Sequence, residues 1–321
     1  MNRSKVAIGV DLGGTNLKLA IVSNSGEILH ETVRPTGAEN GPDYVLTQVE
    51  EGIAELLSLT KEHNLVGIGI GSAGPVDFKN GIVHHPPNFP DWEVEPVRDR
   101  IVKRFELPTF VDNDANVAAL AEGTVGAGIG YDYFLCITLG TGVGCGIVLD
   151  GKVYRGKLGA AGEFGHTTIK YDGLLCNCGN YGCVERYVAA KGMVERAVQK
   201  LSEFPDSKLK GLHGDNPHKK ITPKLISQLA IAGDKLCLQV LQETGELLGI
   251  ALASVVNLLN VELIILAGGI SNAGDLLFKP TMDSIRKHAL PMPASIVKLV
   301  KAQLGEKAGV IGATQMVFRN V

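Results

Sequence analysis

Residues 6–22, VAIGVDLGGTNLKLAIV, run from one apolar segment through the turn Asp11-Leu12-Gly13-Gly14-Thr15 into a second apolar segment. Residues 133–149, YFLCITLGTGVGCGIVL, repeat that outline. Each reads as strand, glycine-rich turn, strand. Two readings stand: an accidental match of hairpins, or a duplicated fold whose two turns face each other across a cleft. The flanking sequence favours strands alternating with helices. Apolar residues Val45, Val49, Ile53, Leu56 and Leu57 fall at helical spacing within Asp43–Lys61. Leu65–Gly71 and Pro108–Val111 read as buried strands, Val97–Phe105 as a helix, and a further helix begins near Asp112.

The second half opens with strands Tyr133–Thr138 and Gly144–Leu149 and an irregular region from Gly156 to Gly182. Helices are then expected over Glu185–Leu201, Pro223–Ala232, Lys235–Asn260, Asp275–His288 and Ala308–Phe318. Strands are expected at Glu262–Leu266 and Ser295–Leu299, and the polar stretch 208–220 reads as a surface excursion. The pattern is α/β with a parallel or mixed sheet. The domain boundary is expected near Val111, giving a smaller domain of 1–111 plus 305–321 and a larger one of 112–304.

Composition narrows the function classes. The chain has 321 residues, 45% of them apolar, which is enough for a large core. Its net charge of −3 gives no electrostatic case for nucleic acid. The N-terminal apolar run stops at Asp11, so it is no secretion signal, and the charge-free stretch 134–149 is short of a membrane span. Six cysteines in a chain this long do not make a disulfide scaffold, and a cytoplasmic protein with one metal site is expected. Glycine numbers 40, about 12% against a usual 7%.

That glycine excess has a chemical use. Polyphosphates need backbone N–H donors without Cβ atoms in the way. Asp11–Thr15, Leu139–Gly144 and Leu266–Ser271 each supply a glycine-rich turn beside an apolar strand. One such turn alone is more often a tight hairpin; three together point to nucleotide binding. The P-loop pattern is absent. A GxGxxG at Gly69, Gly71 and Gly74 is a decoy, because Pro75, Val76 and Asp77 follow it where a dinucleotide fold needs a helix.

Cys176, Cys178 and Cys183 lie within eight residues, and His166 sits ten residues upstream. Three sulfurs and an imidazole suit one tetrahedral, closed, structural zinc. Cys136, Cys145 and Cys237 read as small core residues. Glu163 and Glu185 flank the zinc motif, so the metal could hold both carboxylates at one place. In VDNDANVAALAEG (111–123), Asp112 or Asn113 can cap a helix and Asp114 falls in its first turn. Acidic residues there serve the helix dipole in most proteins, but this one follows a strand end where α/β sheets place ligands. Histidines 30, 63, 84, 85, 213, 218 and 288 lack patterned partners, and no GxSxG occurs.

Taken together, DLGGT (11–15), GPVD (74–77), PNFPDW (87–92), VDNDANVAALAEG (111–123), LGTGVGCGIV (139–148), GEFGH (162–166), CNCGNYGCVE (176–185) and AGGIS (267–271) resemble the ROK family of repressors and sugar kinases. Within it, the chain is most similar to bacterial glucokinases. The resemblance covers essentially the whole length and implies an actin/hexokinase/Hsp70-like (ribonuclease H-like) fold of two α/β domains, with ATP and sugar in the cleft between them. It implies transfer of a phosphoryl group from ATP to the 6-hydroxyl of a hexose, with Asp114 as general base. Asn88, Asn113, Glu163, His166 and Glu185 match positions that hold sugar hydroxyls. Asp11, Gly13, Gly14 and Thr15 match the first phosphate motif, with Asp11 near Mg²⁺. Gly140, Thr141 and Gly142 match the second, while Gly268 and Gly269 match the adenosine side. His166 would place one ring nitrogen on zinc and the other toward sugar.

Cys145 departs from the family pattern, which often carries glycine there. Kinases for N-acetylmannosamine, N-acetylglucosamine, fructose and allose share nearly the same motifs, and polyphosphate is another donor to weigh. A sugar-sensing repressor is disfavoured, since only four residues precede the first strand. A homo-oligomer, dimer or tetramer, is expected from the resemblance, without nucleic acid or membrane as partner.

Overall fold

The structure, a computed structural model, describes residues 4–212 and 220–321. His213 and His218, with most of the second half of the polar stretch 208–220, lie outside the described residues. The part that is described includes a short 3-10 turn at Lys208–Leu212 whose Leu209 is fully buried, so this stretch is anchored and not simply a solvated excursion.

The chain divides into two compact units: Met1–Gly130, Gly146–Ala161 and Gln303–Val321 form the first, and Tyr131–Cys145 and Gly162–Ala302 the second. In the first unit, β1 (Lys5–Leu12), β2 (Asn16–Ser23), β3 (Ile28–Pro35) and β4 (Asn64–Ser72) are followed by β5 (Val76–Asp77), β6 (Ile82–His84), β7 (Val94–Glu95) and β8 (Thr109–Asn113). The larger sheet runs β3-β2-β1-β4-β8. The hairpin strands pair antiparallel, whereas β1–β4 and β4–β8 are parallel. Strands β5, β6 and β7 make a small antiparallel sheet.

Helix α1 (Pro42–Leu57) buries Val45, Val49, Ile53 and Leu56, the positions read at helical spacing. Helix α2 (Val97–Phe105) and helix α3 (Asp114–Val125) follow as expected. The C-terminal helix Ala308–Phe318 is buried over most of its length and lies so close to the sheet that a Cβ on Gly69 would run into the Ala313 carbonyl. Of the GxGxxG glycines, Gly69 thus serves helix–strand approach, Gly71 lies against the Val117 side chain of α3, and Gly74 (φ 87°) turns against Pro86, with β5 and no helix behind them.

The second unit holds β9 (Phe134–Leu139) and the start of β10 (Val143–Leu149). The rest of β10 pairs with β11 (Lys152–Val153) in the first unit. The order of the second sheet, β11-β10-β9-β12-β13, repeats that of the first strand for strand. Its remaining strands are β12 (Leu263–Ala267) and β13 (Lys298–Lys301), with β12 parallel to both β9 and β13. The helices here are α4 (Glu185–Val188), α5 (Ala190–Lys200), α6 (Pro223–Ile231), α7 (Lys235–Leu259), α8 (Asp275–His288) and α9 (Pro291–Ile296). Helix α7 is long and apolar enough to cross a membrane, but its apolar window is 61% buried within the protein, as in a core helix packed on α8.

Three expectations change. The boundary falls later than Val111, because α3 packs against the C-terminal helix and therefore groups with the first unit. The helix expected over Glu185–Leu201 breaks at Ala189, which is extended (φ −76°, ψ 172°). The strand expected at Ser295–Leu299 is instead the end of α9 followed by β13, since Pro291 and Pro293 start a short helix.

Candidate active site and metal centre

In the first unit, the turn between β1 and β2 is closed by the Gly13 N–H donating to the Asn16 carbonyl at 3.2 Å. Thr36 braces it twice: its Oγ1 donates to the Gly13 carbonyl at 2.6 Å and its N–H to the Thr15 carbonyl at 3.0 Å. Sequence reading missed Thr36, which lies far along the chain with no motif around it. Asp11, at the end of β1, is register-paired with Lys18. Burial holds its carboxyl above the usual range, and the Lys18 charge pulls against that rise. Gly14 abuts Asn88, where a Cβ would come within 2.7 Å of the Asn88 side chain, so the first phosphate turn and the Asn88 loop adjoin. Beside Asn88, the buried rings of Phe89 and Trp92 stack with centroids 4.8 Å apart.

The VDND segment ends β8 and opens α3. Asn113 is the cap: its Oδ1 accepts from the Ala115 N–H at 2.9 Å and the Asn116 N–H at 3.4 Å. Its Nδ2 donates to the Gly74 carbonyl at 2.9 Å. Asp114 is exposed in the first turn, with one carboxylate oxygen accepting the Ala115 N–H at 2.8 Å. Asp112 points inward and is only 1% exposed.

In the second unit, the turn after β9 is held by α4 and α5. The Val143 N–H donates to Glu185 Oε2 at 3.0 Å, and the Ala190 N–H donates to the Gly140 carbonyl at 3.0 Å. The break at Ala189 is what brings Ala190 to that carbonyl. A Cβ on Gly142 would sit 2.7 Å from Glu185 Oε2, so a larger residue there would displace the carboxylate from the Val143 N–H. Cys145 is a buried β10 residue whose thiol is pushed up to about 12, first by burial and then by the Glu163 charge. It is a neutral, space-filling side chain, and β10 runs through it without interruption. Glu163 itself is exposed and precedes the 3-10 turn Phe164–His166.

His166, Cys176, Cys178 and Cys183 bring their ligand atoms within 4.8 Å of one another. His166 Nδ1 lies 3.7 Å from Cys176 Sγ, and Cys178 Sγ lies 3.7 Å from Cys183 Sγ. A tetrahedral zinc with Zn–S bonds near 2.3 Å has edges of about 3.7 Å, so the donor set fits that ion. The loop around it wraps through Gly179 (φ 88°) and Gly182 (φ 73°). Asn180 closes it, accepting the Cys176 N–H at 2.8 Å and donating Nδ2 toward Cys183 Sγ at 3.6 Å. Tyr171, Leu174, Leu175 and Tyr181 of this loop are exposed, so apolar burial contributes little to its fold.

A cavity of about 440 Å³ in the same unit is lined by Gly140 and Gly269 together with Lys224, Gln228, Ile270 and Asn272. Gly268 enters the turn with φ 84°, and Ser271 Oγ donates to its carbonyl at 2.7 Å. Lys224 and Gln228 lie on α6, which the sequence presented only as an ordinary helix.

Within the units, the structure places Gly14 against Asn88, Glu185 against Gly142 and Val143, and His166 with the three thiols, while Glu163 lies near Cys145. The ROK family profile matches residues 7–320. The glucokinase of Halalkalibacterium halodurans is 39% identical, over 97% of this chain and 94% of that protein. The glucokinase of Thermotoga maritima is 35% identical, over 98% of each. Among solved structures, the ROK family glucokinase of Streptomyces griseus, in complex with glucose and AMPPNP, superposes with a TM-score of 0.83 at 36% identity. It spans 98% of this chain and 100% of that one.

Proposed function

The chain belongs to the ROK family, and we propose that it transfers the γ-phosphoryl group of ATP to the 6-hydroxyl of a hexose, with glucose as the preferred acceptor. The observation that carries this reading is the full-length similarity to an actin/hexokinase-like enzyme crystallised with both glucose and an ATP analogue.

Asp114 is the general base. It is exposed at the start of α3, where one of its oxygens accepts the Ala115 N–H at 2.8 Å. A helix N-terminus favours the carboxylate, which weakens it as a base. Phosphoryl transfer through a loose transition state depends on positioning more than basicity, so an ionised, well-placed Asp114 suffices. Asn88, Asn113, Glu163, His166 and Glu185 hold the sugar hydroxyls, each of which both donates and accepts. Because His166 turns Nδ1 toward Cys176, its Nε2 is the nitrogen left for sugar. Glu185 gives one oxygen to the Val143 N–H and keeps the other for a hydroxyl.

Gly13, Gly14 and Thr15 and the Gly140–Gly142 turn cradle phosphates with backbone N–H groups, and the Gly268–Gly269 side with Lys224 and Gln228 receives adenosine. Mg²⁺, bound with ATP near Asp11, supplies neutralisation of the charge that develops on the phosphates. The zinc held by His166, Cys176, Cys178 and Cys183 is structural, since four protein ligands leave no open position. The reading implies a cytoplasmic dimer or tetramer that acts on small molecules and not on nucleic acid.

The test is ADP release with ATP, Mg²⁺ and a panel of aldohexoses, ketohexoses and N-acetylhexosamines. Glucose is expected to turn over well above the rest. Preference for an N-acetylhexosamine would keep the mechanism and reject the substrate, and silence across the panel would reject the kinase reading.

A further inference from the structure

Asp112 carries a negative charge in the interior of the first unit, two residues before the proposed base. Its Oδ2 accepts from Arg155 Nε at 2.8 Å and pairs with Arg155 Nη2 at 2.7 Å. Its Oδ1 accepts the Asn113 N–H at 2.8 Å and Asn116 Nδ2 at 3.0 Å. One buried carboxylate thus joins an arginine to the backbone of Asn113 and to the first turn of α3. The Arg155 guanidinium is fixed in turn, lying 3.9 Å over the Phe78 ring, with Nη1 donating to the Val153 carbonyl at 3.3 Å.

A buried ion pair contributes little net stability compared with apolar residues of the same size, because desolvating both charges costs about what their attraction returns. Its specific effect is geometric: a two-donor guanidinium–carboxylate contact sets direction as well as distance. Here the direction it sets is that of the strand-to-helix turn bearing Asn113 and Asp114. Arg155 also begins the loop that leads to GEFGH: its carbonyl accepts the Ala161 N–H at 3.1 Å, and Gly159 (φ 85°) is pressed against the Val76 carbonyl. The same arginine therefore anchors the base-bearing turn and the segment that enters the Glu163–His166 motif.

We propose that Asp112 and Arg155 are a positioning pair for phosphoryl transfer: Arg155, through Asp112, sets the orientation of the Asn113–Asp114 turn without touching substrate. The proposal rests on the kinase reading above. Misplacing a reacting group by about 1 Å costs up to about 10²-fold in rate, so Arg155→Met should lower kcat by about 10- to 100-fold while leaving KM for ATP near the wild-type value. In Arg155→Ala, which leaves the space beside Asp112 open, added guanidinium ion should restore part of the lost rate. Asp112→Asn should resemble Arg155→Met, and the double variant should be no worse than either single one.

The experiment measures kcat, KM for both substrates, glucose binding without nucleotide and the melting temperature for these variants. Arg155→Lys serves if Arg155→Met does not fold, because it keeps the charge but loses the paired donors and the stacking plane. Lowered kcat in folded protein, coupled between the two positions and rescued by guanidinium, is the expected result. A wild-type kcat in a folded Arg155 variant, or a rate loss that follows only the folded fraction, overturns the pair. A wild-type chain without turnover overturns the kinase reading instead.

Discussion

Asp11 and Lys18 show how much a single pair of facing residues can set. They oppose each other across the β1–β2 hairpin, burial raising the Asp11 carboxyl and the lysine charge lowering it. A protonated Asp11 attracts no Mg²⁺, so kcat/KM for MgATP should fall on the acid side with an apparent pKa above the ordinary aspartate value. Lys18→Met removes the opposing charge and should move that limb to higher pH. A limb that stays in place would show that Asp11 does not govern it. At this scale the sequence was informative about residue types and silent about partners. The DLGGT turn was legible because only glycine suits a backbone cradle. Thr36, which braces it, and Arg155, which reaches Asp112, are lone residues whose contacts arise from tertiary packing.

Among the elements, the clustering of His166 with Cys176, Cys178 and Cys183 was the most legible and the helices beside it the least. Cysteine and histidine spacing is tied to coordination geometry, which local sequence must satisfy. The break between α4 and α5 has no proline to announce it; it shows only in tertiary contacts, with Ala190 donating to the Gly140 carbonyl and Gly192 set where a Cβ would meet the Arg186 carbonyl. Metal analysis should give about one zinc per chain, and Cys178→Ala should abolish it. That variant should also weaken glucose binding by about 10- to 100-fold, the worth of one or two hydrogen bonds to charged groups, because His166 and Glu185 are positioned from this loop. Zinc-free protein with unchanged glucose affinity would refute the link.

Over the whole molecule, the echo between residues 6–22 and 133–149 is answered by two sheets with the same strand order. The repeated topology extends the likeness beyond the hairpins to whole sheets. Unit boundaries were harder to read, because α3 is assigned by its packing on a helix nearly two hundred residues away in sequence. The proposed machinery is shared out accordingly: Asp11, Asn88, Asn113 and Asp114 in the first unit, and Glu163, His166, Glu185 and Gly268 in the second. The central claim is that this chain is a glucose kinase whose base is Asp114, and it is tested most directly by transfer of labelled γ-phosphate to glucose in wild type and Asp114→Asn, with glucose binding measured on both. A positioned base contributes about 10²- to 10⁴-fold, so the wild type should label glucose, and the variant should lose at least that much rate while binding glucose as before. Appreciable transfer by a folded Asp114→Asn, or none by the wild type, would contradict the account.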